Sequence, residues 1–260
     1  MKVGIIQLCS QLDFKINLTK IREFLSKAKE ANCTHVFLPE VFYSMSDGTT
    51  PTPFLIEQGN EHYENIRSLS KDFGVYILGG SAATRVLDKV INRNYNFDPK
   101  GNELEHYDKI NLFSCDLGNT NKRVINEADV YTSGNEEKIL DLGEWKIGLS
   151  ICFDVRFPRM YRNYVEKGAN IFTISAAFTK VSGKAHWHTL CRSRAIENQC
   201  YVIAPAQWGD HNDKIKTFGH SLIIDPWGEI LADAGEGEKL ITAELSLERV
   251  NKVRKMIKIF

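Results

Sequence analysis

Cys152 closes the apolar run Lys146-Ile-Gly-Leu-Ser-Ile-Cys152 and is followed at once by Phe-Asp-Val-Arg156-Phe-Pro158. A thiol at the end of a buried strand, just before a helix, sits on rigid backbone beside free N–H groups. Two other segments have the same form. His35-Val-Phe-Leu-Pro-Glu40 ends on a carboxylate and Tyr107-Asp-Lys109 on an ammonium. A free thiol, with a pKa near ~8.5, is only slightly ionised at neutral pH and needs a base or a cationic neighbour. Glu40 is the candidate base and Lys109 the candidate cation. If Cys152 attacks a carboxamide carbon, the carbonyl oxygen becomes an anion that Lys109 and the backbone N–H of Phe153 can receive. Each such donor is worth on the order of 10²–10³ in rate. Glu40 would carry the thiol proton to departing ammonia and then activate water against the thioester, so one carboxylate serves both half-reactions.

Three strand-end groups need a frame that brings strand ends together. Short apolar runs alternate with helical patterns: a strand over Lys2 to Leu8, a helix near Asn17 to Ala31, a strand over Val36 to Leu38, a helix over Glu61 to Phe73 and a strand over Val75 to Gly80. This rhythm predicts buried strands covered by helices. Between Arg85 and Leu112 the pattern turns antiparallel, with Val90 to Phe97, a turn at Asp98-Pro-Lys-Gly101 and Leu104 to Tyr107. Strands follow at Lys146 to Ile151, Ile171 to Ser175 and Tyr201 to Ala204, separated by helices near Pro158 to Lys167 and His186 to Asn198. A hairpin over Ser221 to Ala234, a strand over Leu240 to Glu244 and a basic helix from Leu247 complete the chain. The segment Asn111 to Asn135 reads as a long polar loop centred on Gly118-Asn-Thr-Asn-Lys122, the form of a lid or binding loop.

Composition narrows the class. The 260 residues suit one α/β domain over 1–260, and Lys plus Arg balance Asp plus Glu at 33 each, so no basic field invites nucleic acid. No apolar run reaches the roughly 18 residues of a membrane helix, and the amino terminus lacks the form of a secretion signal. The six cysteines are scattered, without a Cys-x-x-Cys pair. These features lead to the expectation of a cytoplasmic protein with no membrane partner and no disulfide framework.

The chain resembles the nitrilase, or carbon-nitrogen hydrolase, superfamily over essentially its whole length. The resemblance rests on Phe-Leu-Pro-Glu40-Val-Phe, on Tyr107-Asp-Lys109-Ile-Asn-Leu-Phe, on Gly148-Leu-Ser-Ile-Cys152-Phe-Asp-Val-Arg156-Phe-Pro, and on the order Glu, Lys, Cys. It implies a four-layer α-β-β-α sandwich with mixed sheets, a homodimer or higher homo-oligomer, and a Glu40-Lys109-Cys152 triad that uses no cofactor or metal. Glu127 matches the family's second glutamate, which supports the lysine. The segments after the nucleophile, Ala177-Phe-Thr-Lys-Val-Ser-Gly183-Lys-Ala-His-Trp187 and Arg194-Ala-Ile-Glu-Asn-Gln, are similar to the deaminated-glutathione amidase and omega-amidase branch. That implies a linear carboxamide hydrolysed to carboxylate and ammonia through a Cys thioester, with deaminated glutathione or a related ω-amide as substrate. Omega-amidase action on α-ketoglutaramate and N-carbamoyl amide hydrolysis are the alternatives. Arg156, whose planar fork suits a carboxylate, and Thr179 are the candidate substrate-binding residues. The chain departs from the family pattern at Asn111, Phe153, Ser175 and His188, and at its early end.

Each of these residues also has a plainer reading. Arg156 can pair with Asp154 or a neighbouring acid instead of a substrate. Cys9, Cys33, Cys191 and Cys200 read as small buried hydrophobes. His186-Trp-His188 mimics a His-x-His metal motif, which makes a zinc amidohydrolase the rival enzyme class. The histidines at 35, 62, 106, 211 and 220 offer it no carboxylate partner at a plausible spacing. Arg192, Arg194 and Glu197 read as a structural ion cluster on one helix, and Gly235-Glu-Gly-Glu-Lys239 as a hairpin turn. A non-catalytic binding protein would be expected to have lost a triad member, yet Glu40, Lys109, Glu127 and Cys152 are all present.

Overall fold

The computed structural model describes residues 1–116 and 124–259. The apolar runs Lys2–Gln7, His35–Phe37 and Tyr76–Leu78 form parallel strands, with Lys239–Glu244 antiparallel along the free edge of the first. A six-stranded sheet holds Trp145–Ile151, Ile171–Ser175 and Tyr201–Ala204 as a parallel centre, and Ile139–Leu142, Leu222–Ile224 and Ile230–Asp233 as antiparallel flanks. Both sheets are therefore mixed.

Strand alternation decides what lies between them, because successive side chains point to opposite faces. Val3, Ile5, Phe37 and Leu78 join Leu149, Ile151 and Ile203 in one core, which also reaches Tyr161, Tyr164, Trp187 and Cys191. The intervening residues Ile6, Val36 and Ile77 turn the other way and pack on Ile21, Leu25, Ile66 and Leu69. Helices α1 (Phe14–Glu30) and α2 (Glu61–Phe73) thus cover the first sheet. Helices α3 (Pro158–Glu166) and α4 (Lys180–Asn198) cover the second, giving the α-β-β-α layering. Gly148 is what lets α3 lie so close, since a Cβ there would come within 2.6 Å of the Tyr164 ring. The last helix, α5, runs over Leu247–Met256. Among the described residues, no helix is long and apolar enough to cross a membrane.

Several expectations need correction. Ser81–Val86 is a strand that small and polar residues hid, and it pairs with Lys89–Asn94, which pairs in turn with Tyr107–Asp108. The run to Phe97 continues only as isolated bridges to Ile77 and Glu103. Helix α1 starts at Phe14, where the Asp13 carboxylate accepts from the Lys15 N–H, and not at Asn17. Helix α4 begins at Lys180, six residues before His186, because Thr179 caps it and Gly183 lets it press against Phe218. The segment Gly235 to Lys239 does not close a hairpin: the strand before it belongs to the six-stranded sheet and the strand after it to the four-stranded one. Gln7 anchors this crossover by donating to the Gly235 and Gly237 carbonyls. Cys9 is only half-buried, with its sulfur 3.9 Å from Nδ1 of His211. Arg192 leaves the expected ion cluster and donates to the Gly228 carbonyl, whereas Arg194 pairs with Glu197. Residues 118–122, the centre of the expected lid, lie outside the described residues; on either side of them Ser114–Asp116 pairs with Val124–Asn126.

Candidate active site

Glu40 lies three residues beyond the His35–Phe37 strand and is buried. The turn that holds it is strained, for Val41, a β-branched residue, has φ of 45°. The Val41 N–H donates to Ser81 Oγ at 3.0 Å, and Gln207 Nε2 donates to the Glu40 carbonyl at 2.9 Å. Both carboxylate oxygens are occupied. Oε1 accepts from Lys109 Nζ and from Asn92 Nδ2, each at 2.8 Å, and Oε2 accepts from the Ala177 N–H at 2.8 Å.

Lys109 follows the Tyr107–Asp108 strand and has no solvent exposure at all. Its ammonium also donates to Glu127 at 2.8 Å. Burial works against this charge, but the carboxylates of Glu127 and then Glu40 outweigh it and hold the lysine well above its ordinary range. It is therefore an ammonium at every physiological pH. Glu127 is held in turn by the Phe113 N–H, which donates to Oε2 at 2.8 Å. Burial, with Glu40 adding to it against the pull of Lys109, raises the Glu127 carboxyl above its ordinary value.

Cys152 opens a short 3-10 helix, Cys152–Arg156, directly after the Trp145–Ile151 strand. Its φ is 49°, a left-handed conformation that non-glycine residues rarely adopt. The first-turn N–H groups of this helix, that of Phe153 among them, have no intrahelical acceptors. Asp154 holds the turn in place from below. Buried, it accepts from the Ile151 N–H at 2.8 Å, from Tyr107 Oη at 2.7 Å and from Asn111 Nδ2 at 2.8 Å. One carboxylate thus ties the Cys152 turn to the strand end carrying Lys109. The Cys152 thiol is pushed well above its ordinary range by burial first and by Glu40 next, with Lys109 opposing. The raised thiol is neutral at rest, so a chemical role for it would need a neighbouring base to take its proton.

Glu40, Glu127 and Cys152 line one cavity of about 440 Å³, together with Asn92, Tyr131 and Phe153. Asn92 is buried, and its Oδ1 has no hydrogen-bond partner among the described residues. Strand alternation around Asn92 carries no such signal, so sequence reading missed it. Tyr131 was missed because it lies in irregular chain just after the Glu127–Asp129 turn, where no periodicity marks a side chain as facing a cavity.

Arg156 and Thr179 line the same cavity. The expected alternative for Arg156, a pair with Asp154, does not form, because Asp154 is already engaged by Tyr107, Asn111 and Ile151. The guanidinium instead lies 5.7 Å from the Phe153 ring centre and 5.5 Å from that of Phe178, with Nη2 3.2 Å from His186 Nδ1. Among the described residues it has no carboxylate partner. The Thr179 hydroxyl is spent on capping α4, accepting from the Ser182 N–H at 3.3 Å. Exposed Lys180, Lys214 and Lys216 complete the cationic part of the lining, the last two paired with Asp47 and Asp210. His186 and His188 are two residues apart on a helix, which turns them about 200° away from each other. The His-x-His reading therefore fails: His186 meets Arg156, while His188 meets Asp233.

The described geometry has counterparts. Residues 2–255 match the carbon-nitrogen hydrolase family model. A deaminated glutathione amidase of Synechocystis is 36% identical over 97% of this chain and 94% of its own length. An omega-amidase of Xenopus laevis is 33% identical over 94% of this chain and 87% of its own. The crystal structure of Saccharomyces cerevisiae Nit3, a member of branch 10 of the nitrilase superfamily, superposes with a TM-score of 0.85. It is 29% identical and covers 100% of this chain and 94% of that one.

Proposed function

Since the chain belongs to the carbon-nitrogen hydrolase family and is an enzyme that acts on amides, we propose that it hydrolyses a short, carboxylate-bearing linear amide through a thioester on Cys152. The observation that carries this reading is that Glu40, Glu127 and a cysteine on left-handed backbone line one cavity, with the fully buried Lys109 ammonium bonded to both carboxylates behind them. As the amide carbon approaches, Cys152 forms the S–C bond while Glu40 takes the thiol proton. Lys109 spends two of its three N–H groups on carboxylates, and the third, with the Phe153 N–H, receives the oxyanion. Glu40 returns its proton to nitrogen as the C–N bond breaks and ammonia leaves. Water, deprotonated by Glu40, then cleaves the thioester and frees the thiol.

Arg156 is assigned the substrate carboxylate. With aromatic neighbours, one histidine contact and no carboxylate partner among the described residues, the guanidinium has N–H groups left to offer a substrate carboxylate. Deaminated glutathione, the substrate in the name of the Synechocystis relative, has this chemistry. The chain is proposed to work in a reducing cytoplasm, in keeping with its free cysteines, and as a homodimer, which light scattering of the purified protein would test.

Ammonia release from a panel of deaminated glutathione, α-ketoglutaramate, an N-carbamoyl amine and a simple nitrile tests the assignment. The expected order puts deaminated glutathione first. Preference for α-ketoglutaramate would move the chain to omega-amidase action, preference for the ureido compound to carbamoylase action, and turnover of the nitrile alone would overturn the amidase reading.

A further inference from the structure

A second group of reactive side chains lies on the far side of α4 from His186. His188 Nε2 is 3.0 Å from Asp233 Oδ2, and His220 Nδ1 is 3.0 and 3.1 Å from the two Asp233 oxygens. Among the described residues this is the one group of three histidine, cysteine or acidic residues whose donor atoms converge, all within 4.8 Å of one another. The two imidazoles, 5.0 Å apart and inclined at 69°, are not stacked; they approach the carboxylate from different directions. None of the three residues lines the catalytic cavity.

We propose that His188, His220 and Asp233 are a zinc-binding site that fastens α4 to the Leu222–Ile224 and Ile230–Asp233 strands. Tetrahedral zinc with ligands at about 2.0–2.1 Å spaces them roughly 3.3 Å apart. The histidine–aspartate separations of 3.0–3.1 Å lie just under that figure and all three donors fall within 4.8 Å of one another, so small side-chain rotations centre an ion between them. Two imidazole nitrogens and one carboxylate oxygen form a ligand set that zinc accepts, with water completing the shell.

Each ligand is held before any ion arrives. Trp187 Nε1 donates to the His220 carbonyl at 2.7 Å, and the His220 ring stacks on Phe218 with centres 4.4 Å apart. His220 keeps a left-handed φ of 54°, so its placement is maintained against local preference. The Gly235 N–H donates to Asp233 Oδ1 at 2.8 Å, the kind of outer contact that orients a ligating carboxylate. Without an ion the arrangement amounts to two half-exposed histidine–aspartate contacts. Such pairs contribute little, which is a weak reason for holding three elements in this geometry.

The test is a titration of the metal-stripped full-length chain with cobalt(II), followed by zinc. The expected result is one cobalt per chain with a visible ligand-field band, no near-ultraviolet thiolate charge-transfer band, and displacement by one equivalent of zinc. Zinc should also raise the melting temperature, and chelation should reverse that rise while leaving ammonia release intact. Loss of an outer-shell contact costs 10–100-fold in affinity, so His188→Ala and Asp233→Asn, which remove ligands outright, should each weaken zinc by at least about 100-fold. Both should abolish the zinc-dependent melting shift while retaining ammonia release, which reports that they fold. Absence of stoichiometric binding, a thiolate band placing the metal on cysteine, or unchanged affinity in both variants would overturn the site.

Discussion

Two sets of charges that obey different physics lie in and behind the candidate active-site cavity. Glu40 and Lys109 interact almost out of water, with Lys109 wholly buried and Glu127 completing its pairing from a partly exposed position, and removing one partner strands the rest. Arg156, Lys180, Lys214 and Lys216 border that cavity nearer solvent, where water and salt screen pairs such as Lys216 with Asp210. The contrast separates two tasks. Chemistry requires fixed charges that water cannot relax. Selection among substrates requires charges available to a ligand, and under the proposed function Arg156, with no carboxylate partner among the described residues, is the one assigned that task.

The comparison is broken most completely by Cys152→Ala, which should lower turnover by something like 10⁵–10⁶, the scale of losing a covalent nucleophile. Ammonia release should vanish while thermal melting reports an intact fold, since only one sulfur is removed. Glu40→Gln should cost about 10²–10⁴ and stall acylation and deacylation alike. Yet Glu40 also raises the thiol, so alkylation of Cys152 by iodoacetamide, which needs no proton returned to nitrogen, should become faster by roughly several-fold. Rapid thioester formation in this variant, or slower alkylation, would remove Glu40 from the role of base.

A smaller effect belongs to stability. The Glu127 carboxyl is raised in the folded state, so the folded chain binds its proton more tightly than the unfolded chain does. Its ionisation therefore disfavours folding as pH climbs from the ordinary value of 4.5 through the raised one, by at most about 1.4 kcal/mol per pH unit. Urea unfolding should show Glu127→Gln gaining on the wild type over that interval and then running parallel to it. Lys109 adds no slope there, because a raised lysine loses its contribution only as pH passes above 10.5 and through the raised folded value. A difference that shrinks with pH would mean that Lys109 wins and the carboxyl is depressed.

The smallest change tests the exposed set. Arg156→Lys keeps the charge and removes the fork, so kcat/KM for a carboxylate-bearing amide should fall by about 1–3 kcal/mol. A neutral amide should barely respond. Equal losses on both substrates, or a collapse in melting temperature, would make Arg156 a structural residue.

What the sequence disclosed follows the same division between local and assembled features. Strands covered by helices were legible because strand and helix periods alternate plainly, whereas the four-layer sandwich followed only from the family resemblance; Glu40, Lys109 and Cys152 stood out as candidates because each sits at the end of a strand-like run. Ser81–Val86 escaped because its alanines and polar residues show no period of two, although four of its six positions are buried. The Gly235–Lys239 crossover escaped because a chain leaving one sheet for another uses the same turn residues as a hairpin. Asp154 offered itself as a partner for Arg156 by proximity in sequence, whereas folding turns it inward to Tyr107 and Asn111. His220 and Asp233 could not be matched to His188 from spacing, since that contact exists only once α4 lies across the sheet.

The left-handed backbone at Cys152 has an evolutionary implication. Glycine adopts that conformation without penalty, so Cys152→Gly should give a more stable chain than Cys152→Ala. Folding alone would therefore let this position drift away from cysteine in any lineage released from the need to turn over its amide. Under the proposed mechanism, a cysteine at this position trades some stability of the fold for chemistry.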